Sequence, residues 1–311
     1  MVILGGMGFL LKKNNYMRHF CTLSDRNYII NGIALYDSIK NNSDFDFKLY
    51  YLCMDDFTYE KISCINEESI IPINITEFES DIDFNLLKSN TDYIPNTSEC
   101  TYCFALGSFF TYYVVKKFNL GEIMYVDSDI IFYENPKIIF NGIQNRSIGI
   151  VLHRHVSIGH HVGGYNVGIV YFKINEIGYK CLKWWRDCVM NPNNEWFEQY
   201  GRVADQVYLE GFEPLFGKEN VAVIDDWVGH GAPWNMNIYQ YLGNNEINWH
   251  GKIQKMVFIH FSHFSPNYEN DSFKEDRNGE WGGLGLGRTE IKKYYQDYFN
   301  KLKISKNKYS I

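Results

Sequence analysis

The stretch Tyr125-Val126-Asp127-Ser128-Asp129 decides how this chain is read. It closes an apolar run, 122–126, that enters as a strand. In extended backbone, residues i and i+2 point to the same side, so the two carboxylates converge at the strand's carboxyl end. That end is where ligands sit in open α/β sheets. Paired carboxylates suit a hard, oxygen-seeking cation such as Mg²⁺ or Mn²⁺, which could then neutralise a diphosphate. Asp-x-Asp is also a common solvated turn, and the apolar strand before it is what favours the metal reading here. A competing chemistry, the aspartyl phosphatase nucleophile, carries Thr two residues after its second Asp and sits near the start of its chain. Here Ile131 stands at that position.

Outward from this motif, strands and helices alternate. Residues 19–23 form a short apolar strand that ends in Ser24-Asp25. A helix follows, with Ile29, Ile33, Tyr36 and Ile39 on one face and Asn41-Asn42 as its stop. Residues 49–53 and 70–75 read as strands, and 104–118 as a helix. Beyond the acidic pair, 148–152 and 168–172 read as strands, 177–189 as an amphipathic helix, 255–260 as a late strand and 291–302 as a closing helix. This order predicts an α/β fold, a sheet flanked by helices in a single continuous domain.

The chain has 311 residues, with 30 Lys+Arg against 37 Asp+Glu, a net charge of −7. An acidic balance argues against a duplex nucleic-acid binder, which needs a basic face. Aromatic residues make up 17% of the chain, enough to close a sizeable core and line a cleft. The seven cysteines are irregularly spaced. Cys100 and Cys103 form one CxxC with no second pair at zinc spacing, so reduced thiols in a cytoplasmic protein are expected. Residues 2–11 are too short and glycine-broken to span a bilayer, and their basic pair, Lys12-Lys13, follows the run instead of preceding it. Residues 1–16 read as an N-terminal tail and 304–311 as a basic, solvated C-terminal tail. That second tail could dock peripherally on anionic lipid.

Other residues carry weaker signals. His153, His155, His160 and His161 cluster, yet lack cysteines at ligand spacing and read as a loop bordering the cleft. Pro233-Trp234 could show an aromatic face to a sugar ring or pack in the core. The glycine-rich 279–287 lacks the Gly-Lys-Ser/Thr of a phosphate loop. It could be a lid, with Arg288 reaching phosphates.

Six motifs in order, from Phe20 to about Ser265, resemble the metal-dependent nucleotide-sugar glycosyltransferases of the GT-A fold, most closely the family-eight, glycogenin-like group. Residues 21–28 (Cys-Thr-Leu-Ser-Asp-Arg-Asn-Tyr) resemble the segment that holds base and ribose, and 32–39 the helix after it. Tyr125–Asp129 with 132–136 resembles the metal motif and its exit. Tyr165-Asn166-Val167-Gly168 resembles the Asn-x-Gly loop, Asp205-Gln206 the pair near the reacting carbon, and His260-Phe261 the late metal ligand.

The resemblance implies a GT-A type, Rossmann-like mixed sheet. It also implies a transfer from a nucleotide-diphosphate sugar, UDP-linked in the first instance, to an acceptor hydroxyl with retention. The acceptor, whether glycan, glycolipid, protein or small molecule, stays open, as does a homo-oligomeric state. Asp127, Asp129 and His260 would hold the metal, and an imidazole beside two carboxylates favours Mn²⁺ over Mg²⁺. Thr22, Leu23, Asp25, Tyr28 and Ser128 would bind the nucleotide. Asn166, Asp205 and Gln206 would serve catalysis by positioning donor sugar and incoming hydroxyl. The nucleotide-binding half would run to about 136 and the acceptor-binding half from 137 to 303. Tyr165 and Trp234 could join Tyr28 around sugar and base, and the resemblance of His153-Arg154 to a pair in the family leaves a substrate contact open. Asp25 could equally be a helix cap, Asn166 a turn residue and His260 a core histidine.

Two departures stand out. The family's diphosphate-contacting Lys after the late His-Phe is missing, since Ser262-His263-Phe264 follows and no Lys comes before Lys274. An Arg common in the helix before the metal strand is also absent at Phe104-Ala105-Leu106. Were the enzyme inverting, it would need a carboxylate base, for which Asp226 is the candidate. Two other classes remain: a sugar nucleotidyltransferase, whose Gly-rich opening loop is not seen at 24–28, and a non-catalytic carbohydrate-binding protein, which needs no Asp pair plus His.

Overall fold

The computed structural model describes residues 17–80, 99–154 (backbone alone over 99–104), 163–190, 205–277 and 286–311. The expected N-terminal tail, the Cys100 and Cys103 side chains, His155, His160 and His161, and most of the glycine-rich stretch lie outside the described residues.

The strands and helices follow the apolar pattern closely. They are β1 (Arg18–Ser24), α1 (Ile29–Asn42), β2 (Phe47–Cys53), α2 (Asp56–Ser63), β3 (Ile70–Asn74), α3 (Ile75–Glu79), α4 (Glu99–Phe118) and β4 (Glu122–Val126). Then come β5 (Ile130–Phe132), α5 (Lys137–Ile143), β6 (Ile148–Leu152), β7 (Tyr165–Lys173) and α6 (Glu176–Met190). The last part holds α7 (Phe212–Phe216), β8 (Val221–Val223), β9 (Gly229–Gly231), β10 (Gln240–Gly243), β11 (Glu246–Trp249), β12 (Lys252–His260), the hairpin β13–β14 (Ser265–Asn267, Ser272–Lys274) and α8 (Thr289–Tyr309). Helix α2 went unread in the sequence. Its start follows from Asp55, whose carboxylate accepts from the Thr58 N–H at 2.8 Å and caps the first turn.

Seven strands form one mixed sheet in the order β3-β2-β1-β4-β7-β6-β8. The first four are parallel where they pair, β7 runs antiparallel to both β4 and β6, and β8 is parallel to β6. Strand β4 is buried at every position, so its sequence is a continuous apolar run apart from Glu122. Helices α4 and α6 cover one face, with Phe109, Phe110, Trp185 and Phe212 in the core between. The other face packs Phe20, Ile33, Tyr36 and Phe140 against α1 and α5. A second sheet, β10-β11-β12-β5 with β9 beside β12, lies against α8 through Phe261, Tyr295 and Tyr298.

The closing helix corrects the expected C-terminal tail. It runs seven residues past Leu302, to Tyr309. Ser305 is buried there, and Tyr309 and Ile311 pack against the core beneath α1. Lys301, Lys303 and Lys308 pair with Asp297, Asp271 and Asp37 at 2.6–3.1 Å, so these cations are engaged on the protein itself. Among the described residues, no helix is long and apolar enough to cross a membrane.

Candidate active site

Two strand pairings assemble the site. At the end of β4, the Asp127 N–H donates to the Gly168 carbonyl at 2.9 Å, which lays Asp127 beside the start of β7. The chain then turns at Ser128 into β5, which runs antiparallel to β12 with Ile130 opposite His260. The Phe261 N–H donates to the Asp129 carbonyl at 3.0 Å. One carboxylate is thus fixed to β7 and the other to β12, and the two strands bring Asn166 and His260 to the same place.

His260 Nε2 stands 3.0 Å from Asp129 Oδ1 and 3.7 Å from Asp127 Oδ2. One ligand atom from each of the three residues lies within 4.8 Å of the others. Two carboxylate oxygens and an imidazole nitrogen form a donor set that fits a divalent, borderline-hard cation. The electrostatics agree, because three acids meet in a buried place. Burial and the Asp129 charge raise the Asp127 carboxyl above its ordinary range, although His260 opposes them. Burial and the Asp127 charge push the Asp205 carboxyl well up. Burial alone would lower His260, but Asp129 and Asp127 together hold its imidazole above the ordinary value.

The flank beyond Asp127 is a hydrogen-bonded cluster. Tyr125 Oη donates to Asp127 Oδ1 at 2.8 Å. Asn166 Nδ2 donates to Gln206 Oε1 at 3.1 Å, and Gln206 Oε1 also accepts from the Val167 N–H at 3.2 Å. Asp205 is buried against Gly107, where a Cβ would come 3.0 Å from its Oδ2. The Asn-x-Gly pattern also has a steric cause. A Cβ on Gly168 would lie 2.7 Å from Asn166 Oδ1 and 2.8 Å from His260 Nδ1.

On the opposite flank the residues expected to hold a nucleotide divide. Tyr28 is half-buried with the Arg277 guanidinium nearby, and its hydroxyl is raised in pKa by burial and by Asp129 while Arg277 opposes them. Asp25 folds the turn into α1, accepting from the Asn27 and Tyr28 N–H groups at 3.0 and 3.2 Å. Leu23 is half-buried, and Ser128 occupies the turn between the two aspartates. Thr22 is fully buried, and its hydroxyl has no partner among the described residues.

Several expectations are corrected. Arg154 does not face substrate. It is buried in a left-handed turn (φ 53°), bound to Asp225 Oδ1 and to the carbonyls of Asp225 and Val228 at 3.0 Å, and stacked 3.8 Å over Trp249. Trp234 is buried too, and its indole N–H donates to the His153 carbonyl at 2.8 Å. Of the two readings of Trp234, packing is the one observed. Arg288 Nη1 donates to the Asn237 and Tyr239 carbonyls at 3.0 and 3.3 Å, so it fastens α8 to the loop before β10. Asp226 is exposed beside Lys252, which stands at the far end of β12, roughly 26 Å from His260 by strand rise. Its buried neighbour Asp225 is already engaged by Arg154 and His230.

Sequence reasoning missed Arg277. It lies on the β13–β14 side of the site, exposed, with its N–H donating to the His263 carbonyl at 2.8 Å. No local pattern marks it, since it is aligned with Tyr28 only by the return of the chain.

No family model matches the chain. Over 291 residues it is 27% identical to the uncharacterized protein YfnD of Bacillus subtilis (strain 168), spanning 92% of this chain and 88% of that one. Among solved structures, mouse xyloside xylosyltransferase 1 superposes with a TM-score of 0.51 at 13% identity, over 83% of this chain and 99% of that one. The galactosyltransferase LgtC, solved with donor and acceptor sugar analogs, gives 0.50 at 16% identity, over 88% and 99%. The fold is GT-A. In this fold Asp127 and Asp129 follow β4, the central strand of the seven-stranded sheet.

Proposed function

We propose that this chain is a divalent-metal-dependent glycosyltransferase that takes its sugar from a nucleotide diphosphate, a UDP-sugar in the first instance, and retains the anomeric configuration. The observation that carries the reading is the convergence of Asp127, Asp129 and His260 at the carboxyl end of β4. Two neighbours of the same fold, a xylosyltransferase and a galactosyltransferase, transfer sugars by name, which supports it.

Asp127, Asp129 and His260 Nε2 would hold the ion, Mn²⁺ by donor chemistry with Mg²⁺ as substitute. When bound, it supplies Lewis-acid stabilisation of a departing diphosphate. The chain's own residues do the rest. Tyr28 gives a half-buried ring for the base, with Leu23, Asp25 and Ser128 around the ribose, while the buried Thr22 shapes the floor beneath. Arg277 brings a cation to the phosphate side, in the role left open by the missing Lys. Asn166, Gln206 and Asp205 flank the ion on the opposite side, where the donor sugar and the incoming hydroxyl of a glycan, glycolipid, protein or small molecule would be held. The surface position of Asp226 removes the candidate inverting base, which favours retention.

The test is calorimetric titration of UDP into the protein with Mn²⁺, with EDTA, and with Asp129→Ala, alongside hydrolysis of a UDP-sugar panel. Binding and slow hydrolysis are expected only with metal and an intact Asp129. Undiminished UDP binding in EDTA or in the variant would refute the reading.

A further inference from the structure

A cavity of about 490 Å³ lies away from the three proposed ligands, between the hairpin β10–β11 and the first half of α8, with Tyr133, just after β5, in its wall. Pockets that take small molecules run to roughly 300–1,000 Å³. Two backbone bonds place it. The Tyr133 N–H donates to the Val257 carbonyl at 2.8 Å, and the Met256 N–H donates to the carbonyl of Asn245, another lining residue, at 2.6 Å. The wall therefore meets β12 three to four residues before His260, roughly 10–13 Å away by strand rise. None of the residues around it belongs to the candidate active site.

Three half-buried tyrosine rings line the cavity, with the centroid of Tyr294 5.2 Å from that of Tyr133 and 6.3 Å from that of Tyr241. Lys301 lies over Tyr133 and Arg288 over Tyr241, at 5.7 and 5.5 Å. Among the described residues no cation lies over Tyr294, so this ring is the one left to a ligand. The charges largely cancel. Asp297 is paired with Lys301 at 3.1 Å, and Glu246 with Lys255 at 3.3 Å. What remains is Glu290 and Lys293, one of each sign and three positions apart on α8, with Arg288 only loosely beside Glu290 at 3.9 Å. Among the described residues the Asn244 amide and the Lys293 amine have no hydrogen-bonding partner. An amide donates and accepts, an ammonium donates and a carboxylate accepts, so the free polar groups suit hydroxyls.

We propose that this cavity is a carbohydrate site separate from the active site, taking a neutral oligosaccharide with one sugar ring against Tyr294 and its hydroxyls on Asn244, Glu290 and Lys293. A sugar suits the lining because it offers an apolar C–H face to an aromatic ring and hydroxyls that both donate and accept. A nucleotide or other anion would meet Lys293 only beside Glu290, and a cation would meet Glu290 only beside Lys293 and Arg288, so neither finds the complementary field that charged ligands need. The proposal stands apart from the transferase reading, since it uses neither the metal nor any residue assigned to the donor.

The experiment is saturation-transfer-difference NMR of the full chain in EDTA with three neutral trisaccharides, maltotriose, cellotriose and tri-N-acetylchitotriose. Trigalacturonate and spermidine serve as charged controls. At least one neutral trisaccharide should bind, and should bind Asp129→Ala equally well. Tyr294→Ala removes the platform and should weaken that binding about tenfold or more, while Tyr294→Phe keeps the ring and should bind as wild type does. Asn244→Gly removes the amide at an exposed position whose left-handed turn (φ 48°) glycine accepts, so it leaves the fold intact and should weaken binding about threefold or more. Failure of all three neutral sugars to bind at millimolar concentration would overturn the proposal, as would tighter binding of either control. So would a bound sugar unaffected by both Tyr294→Ala and Asn244→Gly, or one lost in Asp129→Ala, which would assign it to the active site. Metal-independent binding of UDP would remove the transferase reading and leave this site standing.

Discussion

His260 Nε2 and Asp129 Oδ1 stand 3.0 Å apart, with Asp127 Oδ2 at 3.7 Å, so a proton and a metal ion compete for the same place. Without metal, His260 and Asp127 both hold their protons above their ordinary pKa values. A group whose folded pKa is raised contributes stability below its unfolded pKa and loses it as pH rises through the folded one. For Asp127 that loss begins above the carboxylate range, and for His260 above the imidazole range. The metal-free protein should therefore have a lower Tm at pH 8 than at pH 6. Mn²⁺ should raise Tm more at pH 8 than at pH 6, because it then displaces no proton. Differential scanning fluorimetry with and without EDTA at the two pH values reads this directly. A metal effect equal at both would contradict the competition.

Gly168→Ala tests the close approach of β7 to β12. The added methyl would meet Asn166 Oδ1 at 2.7 Å and His260 Nδ1 at 2.8 Å, so one of the two must move. Overpacking of this sort costs about 1–3 kcal/mol, which urea unfolding would measure. Mn²⁺ affinity should fall by about tenfold or more, because the side chain displaced is either a ligand or the group that orients it. A stability loss with intact metal affinity would mean that β7 yields as a whole.

Arg277 gives a charge-specific prediction. Its guanidinium sits by Tyr28 on the side of the site where the expected Lys is missing. Arg277→Ala should weaken UDP binding by about tenfold, in keeping with about 1.5–3 kcal/mol for a hydrogen bond to a charged group. Uridine, which has no phosphate, should bind both proteins equally. Equal losses for UDP and uridine would place Arg277 against the base or ribose instead.

What the sequence could and could not disclose divides along physical lines. Strands and helices with a strong apolar period were readable to within a few residues, β4 and β6 at both ends. The nearness of Asp127 to Asp129 was readable as well, although 127–129 form a turn where extended strand was expected, and it is the pairing of β5 with β12 that brings His260 to them. Where burial reverses a residue's usual habit, the reading failed. In sequence Arg154 is a candidate substrate contact from the family resemblance alone, and only the return of Asp225 and Trp249 makes the burial of an arginine tolerable. The C-terminal lysines looked solvated because their carboxylate partners, Asp37 and Asp271, come from distant segments. Arg277 escaped notice for the same reason.

The Arg154–Asp225 pair supplies the last prediction, since it separates scaffold from chemistry. Both side chains are almost wholly buried, and Asp225 also accepts from His230 Nε2 at 2.9 Å and from the Leu152 N–H at 2.7 Å. Burial would raise the Asp225 carboxyl, but His230 and Arg154 together hold it below its ordinary range. Asp225→Asn keeps the shape and leaves the guanidinium buried without its counter-charge, which should cost about 3–5 kcal/mol in chemical denaturation. Arg154→Met leaves the opposite charge stranded and should cost a similar amount. The double variant removes both charges and should recover a large part of the loss, the signature of a coupled buried pair. Folded fractions of all three should still bind Mn²⁺, because neither residue touches Asp127, Asp129 or His260. A double variant as unstable as the sum of the singles would show that Arg154 acts through the Asp225 and Val228 carbonyls instead, as a backbone clamp at the left-handed turn that follows His153.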